Sequence, residues 1–128
     1  MTRAGLRLVD YLEHILQGIE RIERYVADLD EAAFTRSSLI QDAVIRNFEV
    51  IGEACRNIDR RFPDFSAAHP ELSLGDAYRL RNAVIHGYFA VDLGIIWTTI
   101  RRDLPELQAR VQHARQAAGA GTLDARRG

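Results

Sequence analysis

The chain has 128 residues, 47% of them apolar and 27% charged, which suits one globular domain and excludes a fully disordered chain. Its 17 basic and 18 acidic side chains leave a net charge of −1, so bulk attraction to nucleic acid is excluded, and any grip on phosphate has to come from a local cluster. No run of about 18 apolar residues occurs, so no membrane-spanning helix is expected.

The opening Met1-Thr-Arg-Ala-Gly-Leu-Arg has neither a long apolar core nor a small-residue cleavage site, so secretion is not expected. A single cysteine, Cys55, excludes an internal disulfide framework and a cysteine-based zinc site. A cytoplasmic protein fits these features. All the basic residues are arginine, each a planar fork able to hold a phosphate at two points.

Leu12, Ile15, Ile19, Ile22, Val26 and Leu29 recur at steps of three and four, which predicts a first helix with one apolar stripe. Asp28 and Asp30 lead into a break. A second helix is expected to start near Thr35 to Ser38, which are good N-caps. Its stripe is Ile40, Val44, Phe48, Ile51, Cys55 and Ile58, closed by Arg60-Arg61-Phe62-Pro63. Residues 62 to 75 read as a loop. Ser73 to Asp76 resembles a capping box and opens a short helix, from about Asp76 to His86, which Gly87 ends. Asp92 caps a last helix, striped by Leu93, Ile96, Trp97, Ile100, Leu104, Leu107 and Val111. Pro105 either kinks it or marks a new first turn. With no alternating strand pattern, the expected fold is all-α. It is an antiparallel bundle of four main helices plus a short motif-bearing helix. The domain occupies residues 1–116, and the Ala-, Gly- and Arg-rich stretch 117–128 is expected to fray. Ile45 and Val50 lie off the main stripe, which favours a homodimer covering them over a purely internal role.

The chemistry concentrates at residues 79 to 92. Arg81, Asn82 and His86 stand on or at the end of the short helix, followed by Tyr88 and Phe89. Arginine is a permanent cation able to hold a phosphodiester or its transition state. Histidine exchanges a proton near neutral pH, and asparagine orients either partner. On RNA the neighbouring 2′-hydroxyl is a built-in nucleophile, so this set requires no metal. Residues five apart differ by about 140° around a helix. Arg81 and His86 therefore converge only if the helix ends or bends, or if two copies meet. The spacing itself is unspecific, and on spacing alone a surface salt bridge at Arg81 with a helix-end His86 is the favoured reading.

Arg81-Asn-Ala-Val-Ile-His-Gly-Tyr88 resembles the R-x4-H-x-Y motif of the HepT-like branch of the HEPN superfamily. Phe48-Glu-Val-Ile-Gly-Glu-Ala54 resembles that branch's E-I-I-G-E-A segment. The resemblance spans roughly residues 5 to 115, although Ser73-Leu74 stands where the family often carries Pro-Trp. It implies an all-α, homodimeric, metal-independent RNA endonuclease that needs no cofactor and acts as the toxin of a toxin–antitoxin pair. Arg81 and His86 match the catalytic pair, with Asn82 supporting. Tyr88 matches the tyrosine that the antitoxin, an MntA-type minimal nucleotidyltransferase, modifies with AMP. The alternative is a non-catalytic helical module that docks such a nucleotidyltransferase.

The remaining polar residues carry weaker signals. Arg56, Arg60, Arg79, Arg101 and Arg102 read as solvated helix charges balanced by nearby carboxylates rather than as phosphate contacts. His14, His69 and His113 have no partners at metal-ligand spacing, and Trp97 and Tyr11 read as packing. Glu49 and Glu53, four apart on one helix face, either line the cleft or pair with arginines, and the structural role is favoured.

Overall fold

In the computed structural model the described residues are 7–72 and 93–127, with side chains described as far as residue 117. Among them every regular element is helical, and the all-α, HEPN-like fold expected from the stripes is present. Three long helices, α1 (Leu8–Val26), α3 (Ser38–Arg61) and α6 (Leu104–Arg127), carry the core. Three short ones, α2 (Glu31–Arg36), α4 (Pro63–Ala68) and α5 (Leu93–Thr98), join them. α1 packs along both α3 and α6.

The stripes are the core. Leu12, Ile15, Ile19 and Ile22 of α1 are fully enclosed, as are Val44, Cys55 and Ile58 of α3. Ile96, Ile100, Leu104 and Val111 close the third side. Each buried Leu or Ile contributes about 1.5–3 kcal/mol by leaving water. Where α1 meets α3, Gly18 allows the close approach. A Cβ placed there would stand 2.7 Å from Ile51 Cγ1 and 3.5 Å from the Asn47 carbonyl.

The caps follow the sequence. Ser37 Oγ accepts from the Ile40 N–H at 3.2 Å, so α3 starts within the stretch expected to cap it. Three short elements were not anticipated. Asp30 ends the break by capping α2, its carboxylate accepting from the Ala33 N–H at 2.8 Å. Gln41 Nε2 then donates to the carbonyls of Phe34 and Thr35, both at 2.9 Å, satisfying the far end of that helix. Residues 62 to 75, expected as a loop, contain α4 and a 3₁₀ turn at Pro70–Leu72. Pro63 occupies the first helical position, where its missing N–H costs nothing, and Asp64 adds an acid to the first turn.

Pro105 produces a local widening. A proline nitrogen cannot donate to the carbonyl four residues back, and its ring crowds that carbonyl. Residues Thr99–Asp103 accordingly form a π-helical turn in which the Leu104 N–H reaches the Thr99 carbonyl. The α6 helix then restarts with Pro105 in its first turn, combining the two outcomes that the sequence allows. Ile45, offered as dimer-forming, packs against the chain's own core.

Candidate functional site

Arg81, Asn82, His86 and Tyr88, the motif helix and the caps at Ser73 and Asp92 lie outside the described residues. What the structure describes is the frame on either side of the motif and the groove beside it.

The chain enters the motif from an anchored point. Leu72 is buried in the core. The Glu71 carbonyl accepts from Arg110 of α6 at 3.1 Å. His69 Nδ1 lies 2.9 Å from the Glu71 carboxylate, and its ring packs on Phe65 with 4.4 Å between centroids. The hydrogen bond with His69 is the main cause holding the Glu71 carboxyl below its ordinary range. A backbone hydrogen bond and the charges of His69 and Arg110 add to it. The chain leaves the motif onto α5, where Leu93 packs against the core and Ile96 is buried in it. Leu72 and Leu93, the described residues on either side of 73–92, are thus both tied to the core.

A groove of about 420 Å³ runs between α1 and α3. Tyr11 and His14 come from α1, and Arg46, Glu49, Val50, Glu53, Ala54 and Asn57 from α3. The α3 residues recur at steps of three and four, so they form one face of that helix, distinct from the Val44–Phe48–Ile51–Cys55–Ile58 stripe. Tyr11 is buried, with its ring edge-on to His14 at 6.2 Å and to Phe62 at 6.3 Å. Both glutamates of the Phe48–Ala54 segment line this groove. Arg46 is outnumbered there by the carboxylates of Glu49 and Glu53, so the lining as a whole does not favour phosphate. Tyr11 and His14 were not singled out as site residues. Their only signal is their spacing of three beside the α1 stripe.

Other sequence readings divide. Cys55 is fully enclosed, and burial pushes its thiol up to about 12, so it is a neutral core residue rather than a nucleophile. Arg115 of α6 pairs with Glu13 of α1, and Arg110 reaches Glu106 at 4.0 Å. These two pairs tie α6 to itself and to α1. Among the described residues no three His, Cys, Asp or Glu side chains gather as a metal site. No described helix is long and apolar enough to cross a membrane.

The all-α architecture and the segment that its core frames define a HEPN-type helical domain. The family model described as "Ribonuclease HepT-like" matches residues 15–114, and the chain belongs to that family. It is 38% identical to "Probable ribonuclease HepT" of Thermococcus cleftensis over 84% of this chain and 94% of that protein. It is 34% identical to "Putative RNase TTE0752" of Caldanaerobacter subterraneus over 83% of this chain and 92% of that one. A third relative, from Methanocaldococcus jannaschii, is named "Gamma-glutamylcyclotransferase and putative RNase MJ0434". It is 39% identical over 79% of this chain, which covers only 44% of that longer protein. No solved structure matches the chain.

Proposed function

We propose that the protein is a metal-independent RNA endonuclease and the toxin of a toxin–antitoxin pair. The observation that carries this reading is that Arg81-Asn-Ala-Val-Ile-His-Gly-Tyr88 falls inside the span matched by the HepT-like ribonuclease family. The names of the relatives support the RNA substrate.

The chemistry follows from the side chains. The His86 imidazole takes the proton of a ribose 2′-hydroxyl. The 2′-oxygen then attacks the adjacent phosphorus, and the bond to the 5′-oxygen breaks. The products are a 2′,3′-cyclic phosphate and a 5′-hydroxyl, whose proton comes from water. Arg81 holds the charge that builds on the phosphoryl oxygens, with two parallel N–H donors. Asn82 orients one of these two groups. The internal nucleophile makes a metal-activated water unnecessary, and DNA, without the 2′-hydroxyl, is left intact.

Two copies form the active unit, bringing two arginines and two histidines to one cleft, with Val50 on a surface that the second copy covers. Residues 1–116 are the functional domain. After Ala114 the sequence offers only one more large apolar residue, Leu123, so the last three turns of α6 add little to the core and are dispensable for folding. The partner is an MntA-type nucleotidyltransferase that transfers AMP to the Tyr88 hydroxyl. The added phosphate places negative charge and bulk beside Arg81 and His86 and repels RNA. All of this takes place in the cytoplasm.

The test is purified protein with RNA in EDTA. Cleavage to cyclic-phosphate ends is expected, and it should be lost in His86→Ala and Arg81→Ala. Binding to the nucleotidyltransferase with no RNA cleavage by the wild-type protein, and no growth arrest when it is expressed alone, would make the chain a docking module instead.

A further inference from the structure

The groove carries two carboxylates and net charge is near zero, so an RNA-binding reading still lacks cations committed to phosphate. α5 and the π turn supply one. Trp97 is half-buried, with its ring packed on the fully enclosed Phe34 at 5.4 Å between centroids. Phe34 is held in turn by α2, whose two ends are capped by Asp30 and Gln41. Four residues after Trp97, Arg101 lays its guanidinium carbon 5.3 Å from the indole centroid. That step lies at the junction of α5 with the π turn that Pro105 forces. The Thr99 hydroxyl bonds back to the Ile95 carbonyl at 2.9 Å and holds the junction.

Arg101 is exposed, and no carboxylate lies within ion-pair distance of it among the described residues. It shares this with Arg24, Arg46 and Arg102, whereas Arg7, Arg110 and Arg115 have carboxylate partners; among the described residues the Trp97 ring is what distinguishes Arg101. The expected balancing of Arg101 by nearby acids is not what is seen. Among the described residues no hydrogen bond uses the Arg101 N–H donors, which leaves them for a second partner. A cation fixed on a rigid aromatic platform loses little freedom on binding, and its planar fork matches the two oxygens of a phosphodiester. Pi-helical turns recur at functional sites. Leu93, where α5 begins, follows His86 by seven residues, a covalent reach of at most about 25 Å.

We infer that Arg101, held over the Trp97 ring, is a phosphate-binding subsite for the RNA substrate. This rests on the ribonuclease reading and adds a place where the strand is gripped. The subsite is sequence-independent, because it touches backbone and not base edges.

The experiment is fluorescence anisotropy of a labelled single-stranded RNA, made uncleavable by 2′-deoxy substitution at every position next to a scissile phosphate, against the full-length protein over a salt series. Arg101→Ala should weaken binding about 5- to 10-fold at low salt and lower the slope of log affinity against log salt by about 0.7, the signature of one lost phosphate contact on a single strand. Arg101→Lys should restore the slope but not all of the affinity, because it keeps the charge and loses the fork. In cleavage assays Arg101→Ala should raise KM with little change in kcat. Arg24→Ala, which removes an exposed cation from the end of α1, should leave the salt slope unchanged. Arg101→Ala with wild-type affinity and slope, in a wild-type protein that binds and cleaves RNA, overturns the subsite alone. An equal loss in Arg24→Ala overturns it too, since bulk charge would then be the cause. A wild-type protein that neither binds nor cleaves RNA overturns the ribonuclease reading, and the subsite with it.

Discussion

The two faces of α3 differ in what they demand of the sequence. One presents Val44, Phe48, Ile51, Cys55 and Ile58 to α1 and the core, all buried. The other presents Arg46, Glu49, Val50, Glu53 and Asn57 to an open groove. The first face is fixed by volume and apolarity and would serve any helical bundle. The second keeps charge and hydrogen-bonding groups on a surface that burial does not require to be polar in that pattern. Core and groove are therefore written on the same helix at different phases of its 3.6-residue period.

The contrast can be broken most sharply through the core. Ile19→Ala on α1, facing the buried side of α3, should cost about 2–5 kcal/mol in urea unfolding. Arg46→Ala on the groove side should stay within about 0.5 kcal/mol. A comparable loss from both would erase the distinction. Gly18→Ala probes the contact between the helices. The added methyl meets Ile51 Cγ1 at 2.7 Å. Overpacking of this kind costs about 1–3 kcal/mol, of which the helix propensity of alanine returns up to about 1. A net loss in thermal stability is expected, and a gain would show that Ile51 gives way freely.

Cys55 sharpens the comparison through pH. Its thiol is raised from 9.0 to about 12 by burial. A raised value means that the folded chain holds the proton more tightly than the unfolded one. The stability linked to it is therefore fully present below about pH 9 and is lost as pH climbs toward 12. Thiol-reactive probes at pH 8 should label the unfolded chain and leave the folded one untouched. The smallest effect is at Glu71, whose carboxyl is held low chiefly by His69. Its contribution is present above the ordinary carboxylate value and lost as pH falls through the depressed one. In His69→Ala, the Glu71 carboxyl should titrate closer to the ordinary value by NMR, with little change in melting temperature because the pair is exposed.

Much of this frame is legible in the sequence. All three stripes are buried or packed against the core, because a 3.6-residue period with β-branched and leucine residues has few other ways to hide its apolar face. The short elements are harder to read. α2 is six residues long and shows no stripe. It exists because Asp30 and Gln41 satisfy its ends, and Gln41 does so from a different helix. α4 was announced by Pro63 at a first helical position, a signal outweighed by the polar composition around it. The groove was half legible. Glu49 and Glu53 stand out by spacing and by family resemblance, whereas Tyr11 and His14 join them only through the crossing of α1 over α3. The Arg101–Trp97 stack was not legible at all. Trp97 lies on the apolar stripe and Arg101 reads as one surface charge among many, and only the π turn after Thr98 and the packing of Phe34 set the two together.

The central claim is that Arg81 and His86 act on RNA through the ribose 2′-hydroxyl. The most direct test is a single RNA oligonucleotide, incubated in EDTA with the wild-type protein and with His86→Ala, beside the same oligonucleotide carrying one 2′-deoxy residue at the cleaved position. The account predicts a cyclic-phosphate product from wild type, a rate at least about 100-fold lower in His86→Ala, and no cut at the deoxy position. Cleavage at the deoxy position, or an undiminished rate in His86→Ala, would contradict it.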